Sequence, residues 1–352
     1  MSVFITIIAF FGILVVVILV HELGHFATAK LSKVKVEEFG LGFPPRLVSF
    51  KKGDTRYSLN LIPLGGFCRM AGEEDPKAPG SLAGKSIKTR LLVLSAGSIM
   101  NVLLPLLLFS IAFMIPTSLI VGDVMVNEVA PNSPAEEAGI MPGDTILELD
   151  GREIRNLNDL AYNTHLNLGA EITLLIGNDT QKEVSLVPRW DPPEGEGAMG
   201  VMVGVENATK TKESYPFWEA IPKGTIHSVE TMILFKNEIQ RWFIAKEGPQ
   251  VAGPVGIAEL TGEAARSGFG VLLEFTAFLS MNLAIINLLP IPGLDGGRIV
   301  FVAIEGIRRG KKISPKREGL VHLIGFTVLI LIIILITYQD ILRIIRGESL
   351  IP

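Results

Sequence analysis

The sequence predicts a polytopic α-helical membrane protein: four transmembrane helices, a cytoplasmic-side membrane-associated β-sheet and an inserted extracytoplasmic α+β domain. Three observations predict it. The 352 residues are 48% hydrophobic and only 19% charged, with a mean hydropathy of +0.44, which is a membrane protein's composition with charge left for a water-facing part. Four segments of spanning length carry little or no charge, at 3–20, 91–116, 268–289 and 320–338. Between them the charge sorts by loop: residues 30–90 hold twelve Lys/Arg against six Asp/Glu, residues 290–318 seven against three, and residues 117–267 eleven against twenty-three. The positive-inside rule then puts both basic loops in the cytoplasm, and the acidic insert and both termini outside.

The first element, 1–30, is a transmembrane helix that carries His21-Glu22-Leu23-Gly24-His25 directly behind its apolar run. No basic residue precedes its apolar run, which exceeds a signal peptide's core, so it reads as a retained span. Histidines four apart share one helix face and can grip one metal ion, and Glu22 beside the first can act as base for a water held there. With five His and 26 Glu, a shuffled chain would carry roughly 0.005 copies of HExxH. The bland alternative, scattered polar residues at a helix end, has to meet the cost of ionisable groups in a spanning helix. Such chemistry at the end of an apolar run implies hydrolysis at or inside the bilayer.

Residues 31–90 form a cytoplasmic or membrane-reentrant β region. Alternation at 33–39 and 46–50 is strand-like, 51–54 has turn chemistry, and 55–61 can return antiparallel. Pro63-Leu64-Gly65-Gly66-Phe67 is expected to break regularity while staying apolar. An open sheet edge here could pair with an unwound substrate segment; the alternative is an ordinary hairpin. Cys68, the single cysteine, belongs to no metal motif. In the second span, 91–116, Gly97-Ser98 permits close helix approach. Asn101 serves either a helix–helix hydrogen bond or substrate binding.

The insert opens with a globular module at 122–205. A strand at 124–129 leads to a turn and short helix at 131–138. A strand at 145–149, the Asp150-Gly151 turn, a helix from Asn156 or Asn158 to 166, and a hairpin at 172–176 and 183–187 across Asn178-Asp179 follow. The order A-x-x-A-G-I-x-x-G-D-x-I-x-x-x-D-G resembles a PDZ domain of bacterial membrane and periplasmic proteases. Residues 190–197, rich in Pro, Gly and acid, are expected to be a mobile connector, and 199–205 can add a strand. Residues 206–267 read as an extracytoplasmic linker. Within it 216–245 forms a helix that either lies amphipathically on the outer membrane surface or is soluble. His165 and His227 lack ligand-like spacing and read as surface or packing residues.

The third span, 268–300, contains Glu274, Asn282 and Asn287 and therefore faces protein. It breaks at Pro290-Ile291-Pro292-Gly293-Leu294-Asp295-Gly296-Gly297, and irregular backbone at membrane depth survives only inside protein or beside water. A catalytic zinc typically takes three protein ligands. Asp295, on the same predicted side as the histidines, is the best third candidate; the competing reading makes it a helix cap. His322 has no acidic neighbour in sequence. A cytoplasmic connection (301–319), the fourth span (320–340) and a short tail (341–352) complete the chain. Net charge of −4 and the absence of a basic aromatic patch point away from nucleic acid.

Taken together, HELGH, the Pro-Leu-Gly-Gly-Phe loop, Gly97-x-x-x-Asn101, the PDZ insert, Gly253-Pro254-Val255-Gly256-Ile257 and NLLPIPGLDGG resemble the bacterial site-2 proteases, intramembrane zinc metalloproteases of the regulator-of-sigma-E type, over essentially the whole length. The resemblance implies Zn2+ held by His21, His25 and Asp295, and Glu22 as catalytic base. It also implies substrate contacts from Asn287, Asn282 and Asn101, with strand-like docking along 34–70. Implied partners are the lipid bilayer of the bacterial cytoplasmic membrane and single-pass substrates, either anti-sigma factors or remnant signal peptides. A catalytically silent PDZ scaffold is the alternative. Two features depart from the family: Gly97-Ser98 replaces the common Gly-Pro, and one PDZ-like module appears where some relatives carry two.

Overall fold

The computed structural model describes residues 3–73, 75–177, 181–245, 252–311 and 313–347. The chain divides into two compact units, one of Met1–Ala112, Ala220–Gly224 and Val251–Pro352, the other of Phe113–Glu219 and Thr225–Gln250.

Among the described residues, four helices are long and apolar enough to cross a membrane: α1 (Val3–Leu31), α2 (Ile87–Met114), α7 (Phe269–Leu288) and α9 (Pro315–Arg346). α2 runs unbroken through Gly97-Ser98 and carries its proline later, at Pro105. Between α1 and α2, strands β1 (Val36–Lys52) and β2 (Thr55–Met70) pair antiparallel, with Lys52 opposite Thr55 and Arg46 opposite Asn60. Both strands are irregular, so the start of β1 is bordered twice. Glu38 lies opposite both Arg56 and Arg69, and Leu41 opposite both Leu59 and Gly66. Residues 66–70 are thereby left as a sheet edge among the described residues. β2 continues through the 63–67 stretch where the sequence predicts a break; the irregularity is absorbed by Gly65, at φ 127°.

A cluster of Ala29, Val34, Val36, Met70, Leu82, Val93, Leu94 and Val302 joins the end of α1, the hairpin, α2 and helix α8 (Asp295–Ile307). Helix α6 (Pro254–Ser267) lies within the stretch read as linker and packs on α1, α7 and α9. Its start explains the Gly-Pro-Val-Gly-Ile run. Pro254 occupies the first helical position, where its missing N–H costs nothing. The Gly256 N–H donates to Asp340 Oδ2 of α9 at 2.8 Å, while Arg343 holds Oδ1 at 3.0 Å.

Among the described residues, the second unit holds a six-stranded sheet in the order β7-β6-β4-β3-β8, with β5 paired to β4. Its strands are β3 (Thr117–Val129), β4 (Thr145–Leu149), β5 (Arg152–Glu153), β6 (Ile172–Gly177), β7 (Gln181–Leu186) and β8 (Val201–Glu213). The Asn178-Asp179 turn lies outside the described residues. Ser133 caps α3 (Pro134–Glu137) by accepting the Glu136 N–H, and Asn156 caps α4 (Leu157–Leu166) by accepting that of Asp159. Val124, Val126, Ile146, Leu149, Ile172 and Leu174 fill the core. The 190–197 connector is a closed loop, tied by the Arg189 N–H to the Ala198 carbonyl and by an Arg189–Glu196 ion pair. α5 (Phe217–Ile244) turns Ser228, Glu230, Thr231 and Asn237 inward. Asn237 donates to the last carbonyls of α4, and Glu230 accepts from Tyr162 and pairs with Arg152. Trp218, Val229 and Phe243 are left exposed.

Candidate metal centre

α1 has no interior breaker, so the four-residue spacing of His21 and His25 puts both rings on one buried face, 7% and 6% exposed. α7 ends at Leu288, the chain turns through Pro290–Gly293, and α8 begins with Asp295. Leu294, not Asp295, is the cap residue of α8, and no side chain caps it. The Asp295 carboxylate instead meets the histidines: Oδ2 lies 3.0 Å from His25 Nε2 and 3.1 Å from His21 Nε2, and the two Nε2 atoms are 3.2 Å apart. Roughly 2.0–2.2 Å bonds to a tetrahedral zinc would separate its ligand atoms by about 3.3 Å. Two imidazole nitrogens and a carboxylate oxygen at near-equal spacing therefore fit that ion.

Two glycines make this approach possible. A Cβ on Gly24 would stand 2.3 Å from the Ala96 carbonyl oxygen, so a side chain between the histidines would push α1 off α2. A Cβ on Gly97 would stand 2.4 Å from His25 Nε2 and 2.7 Å from His21 Nε2. The second ring nitrogen of each histidine also faces α2: His25 Nδ1 lies 2.8 Å from the Val93 carbonyl, and His21 Nδ1 lies 3.4 Å from the Asn101 amide.

The cluster opens on a cavity of about 640 Å³, lined by Glu22, Phe43, Phe67, Arg69, Asp295 and Arg298 among others. Glu22 is close under the strand edge, where a Cβ on Gly66 would sit 2.9 Å from its Cγ. Glu73 joins the edge to α8: it accepts the Met70 N–H at 3.0 Å and pairs with Arg298 at 2.7 Å. Cys68 also lines the cavity, and burial, with Glu22 and Glu73 nearby, pushes its thiol up to about 12, leaving it protonated.

The structure therefore brings together His21, Glu22, His25 and Asp295, with Asn101 behind His21. Asn287 is buried in the last turn of α7 and Asn282 is half-buried on the same helix; neither hydrogen-bonds a clustered residue or lines the cavity. His322 accepts the Gly293 N–H at 3.0 Å, steadying the turn before Asp295. Sequence reasoning missed Arg298 and Glu73. Arg298, three residues after Asp295 and hence on its helix face, carried a readable signal; Glu73 carried none.

Comparison with known proteins places residues 9–332 on the model of "Peptidase family M50". The chain is 37% identical to "Putative zinc metalloprotease CA_C1796" of Clostridium acetobutylicum, covering 94% of this chain and 95% of that protein. It is 38% identical to "Putative zinc metalloprotease CPE1693" of Clostridium perfringens, covering 92% and 95%. It is 29% identical to "Zinc metalloprotease RasP" of Oceanobacillus iheyensis, covering 96% and 99%.

Proposed function

Since the chain belongs to peptidase family M50, the site-2 proteases, and is a zinc-dependent metalloendopeptidase, we propose that it hydrolyses peptide bonds within the transmembrane segments of single-pass membrane proteins. Substrates of the anti-sigma-factor type and remnant signal peptides both fit. The observation that carries this reading is the convergence of His21, His25 and Asp295, beside Glu22, on the C-terminal third of a helix of membrane length.

His21, His25 and Asp295 would hold the zinc. Zinc supplies Lewis acidity, polarising the scissile carbonyl and easing deprotonation of the attacking water. Glu22 takes that proton and passes it to the leaving nitrogen. A helical peptide bond is shielded by its own hydrogen bonds, so the substrate has to unwind. The 66–70 edge, which borders the same cavity, supports a docking mode in which the unwound segment adds as a strand. Asn287 and Asn282 stand as candidates for holding substrate further along α7.

The second unit's strand order, with its two capped helices, supports the PDZ reading, and the loop charges support placing it outside the bacterial cytoplasmic membrane with both termini. There it would admit substrates already shortened by an earlier cut. The silent-scaffold alternative gains nothing from a complete donor set. In purified protein, Glu22→Gln should retain wild-type zinc and abolish cleavage of a transmembrane substrate; cleavage by that variant would refute the role of Glu22.

A further inference from the structure

We infer that Asn101 is a positioning residue: with zinc bound, its side-chain carbonyl accepts a hydrogen bond from His21 Nδ1–H and fixes that imidazole as a ligand. The inference rests on the metal-site reading above and deepens it.

His21 turns Nε2 toward His25 and Asp295, so Nε2 has to offer its lone pair there. A neutral imidazole carries one N–H, which must then sit on Nδ1 and needs an acceptor. Asn101 is the group that Nδ1 meets, but the atom turned toward it is the amide nitrogen, a donor, at a long 3.4 Å. Asn101 Oδ1, in a residue with no exposed surface, has no hydrogen-bond partner. Oxygen and nitrogen of an amide are assigned by their hydrogen-bonding surroundings. Reversing this amide gives Nδ1–H its acceptor and breaks no existing bond of Oδ1.

His25 already has the equivalent arrangement, with Nδ1 2.8 Å from the Val93 carbonyl. Val93, Gly97 and Asn101 are spaced by four on α2 and so form one stripe. An acceptor faces His25, a gap receives both rings, and a second acceptor faces His21. The turn carrying Asn101 is itself anchored, because its backbone carbonyl accepts Ser280 Oγ of α7 at 2.9 Å. Asn101 is wholly buried and does not line the cavity, so it acts through His21 and not on substrate.

The test measures zinc affinity of the full-length protein in detergent by competition with a fluorescent chelator. It compares wild type with Asn101→Ala, Asn101→Leu, Asn101→Asp and Ser280→Ala. Removing the acceptor (Ala, or Leu with its bulk retained) should weaken zinc about 10- to 100-fold, the usual effect of losing such a partner. Asp, which still accepts from Nδ1–H, should restore affinity to within about threefold. Ser280→Ala, which loosens the anchor of that turn but keeps the side-chain acceptor, should lower the melting temperature and weaken zinc by no more than about threefold. Wild-type affinity in both Ala and Leu, or Asp binding as weakly as they do, would overturn the inference while leaving the metal site intact. A wild-type protein that binds no zinc, or an Asp295→Ala variant that binds it equally well, would overturn the underlying reading and this one with it.

Discussion

At the residue scale, the site depends on an atom that is absent. Gly97 leaves the space the two imidazoles occupy, and a methyl group there would overlap both Nε2 atoms, which helix backbone on either side cannot relieve. Gly97→Ala should therefore lose most of its bound zinc by metal analysis while keeping its helical circular dichroism. Retention of one zinc per chain would show that the rings can retreat. Much of this site was legible in the sequence, because HELGH and the Asp295 turn are local patterns of residue types. The support behind them was not. The Val93 partner is a main-chain carbonyl, which any residue provides, and it stands 68 positions from His25.

At the element scale, α6 shows why hydropathy missed a helix of the membrane unit. Pro254–Ser267 mixes polar and apolar residues, and its anchor, Asp340, is 84 positions from Gly256. Asp340→Ala would strand a buried N–H and should cost about 1–3 kcal/mol, seen as a lower unfolding midpoint in detergent. An unchanged midpoint would count against the anchor. The α4–α5 contact makes a different prediction. Burial lowers the affinity of His165 and His227 for protons, with Arg241 adding to the effect at His165 and Glu230 partly opposing it at His227. The folded unit favours both rings neutral, so the unfolded chain takes up protons first as pH falls below roughly 6.5. The stability these rings confer is present above that pH and declines below it. Hydrogen exchange along α5, corrected for intrinsic rate, should accelerate between pH 7 and 5, and His227→Gln should blunt the change. An α5 equally protected at both pH values would argue against this linkage.

At the scale of the whole molecule, the two units answer to different sequence signals. The membrane unit was announced by uncharged length and by loop charge, and the second unit by turn and cap residues at fixed offsets. The hairpin between α1 and α2 was legible as strands but not in its extent, since Gly65 lets β2 pass through a stretch whose composition suggests a stop. If the second unit restricts entry, deleting 122–190 should raise cleavage of uncut substrates relative to pre-shortened ones in membranes; an unaltered ratio would exclude the filter. The three proposed ligands also arrive from unlike supports. Two are clasped along a continuous stripe of α2, whereas the third rides on α8 behind a proline-rich turn and is tethered to the sheet edge through Glu73 and Arg298. Compounds that pry at the Glu73–Arg298 tether would disarm the enzyme from the carboxylate side, without ever touching the histidines.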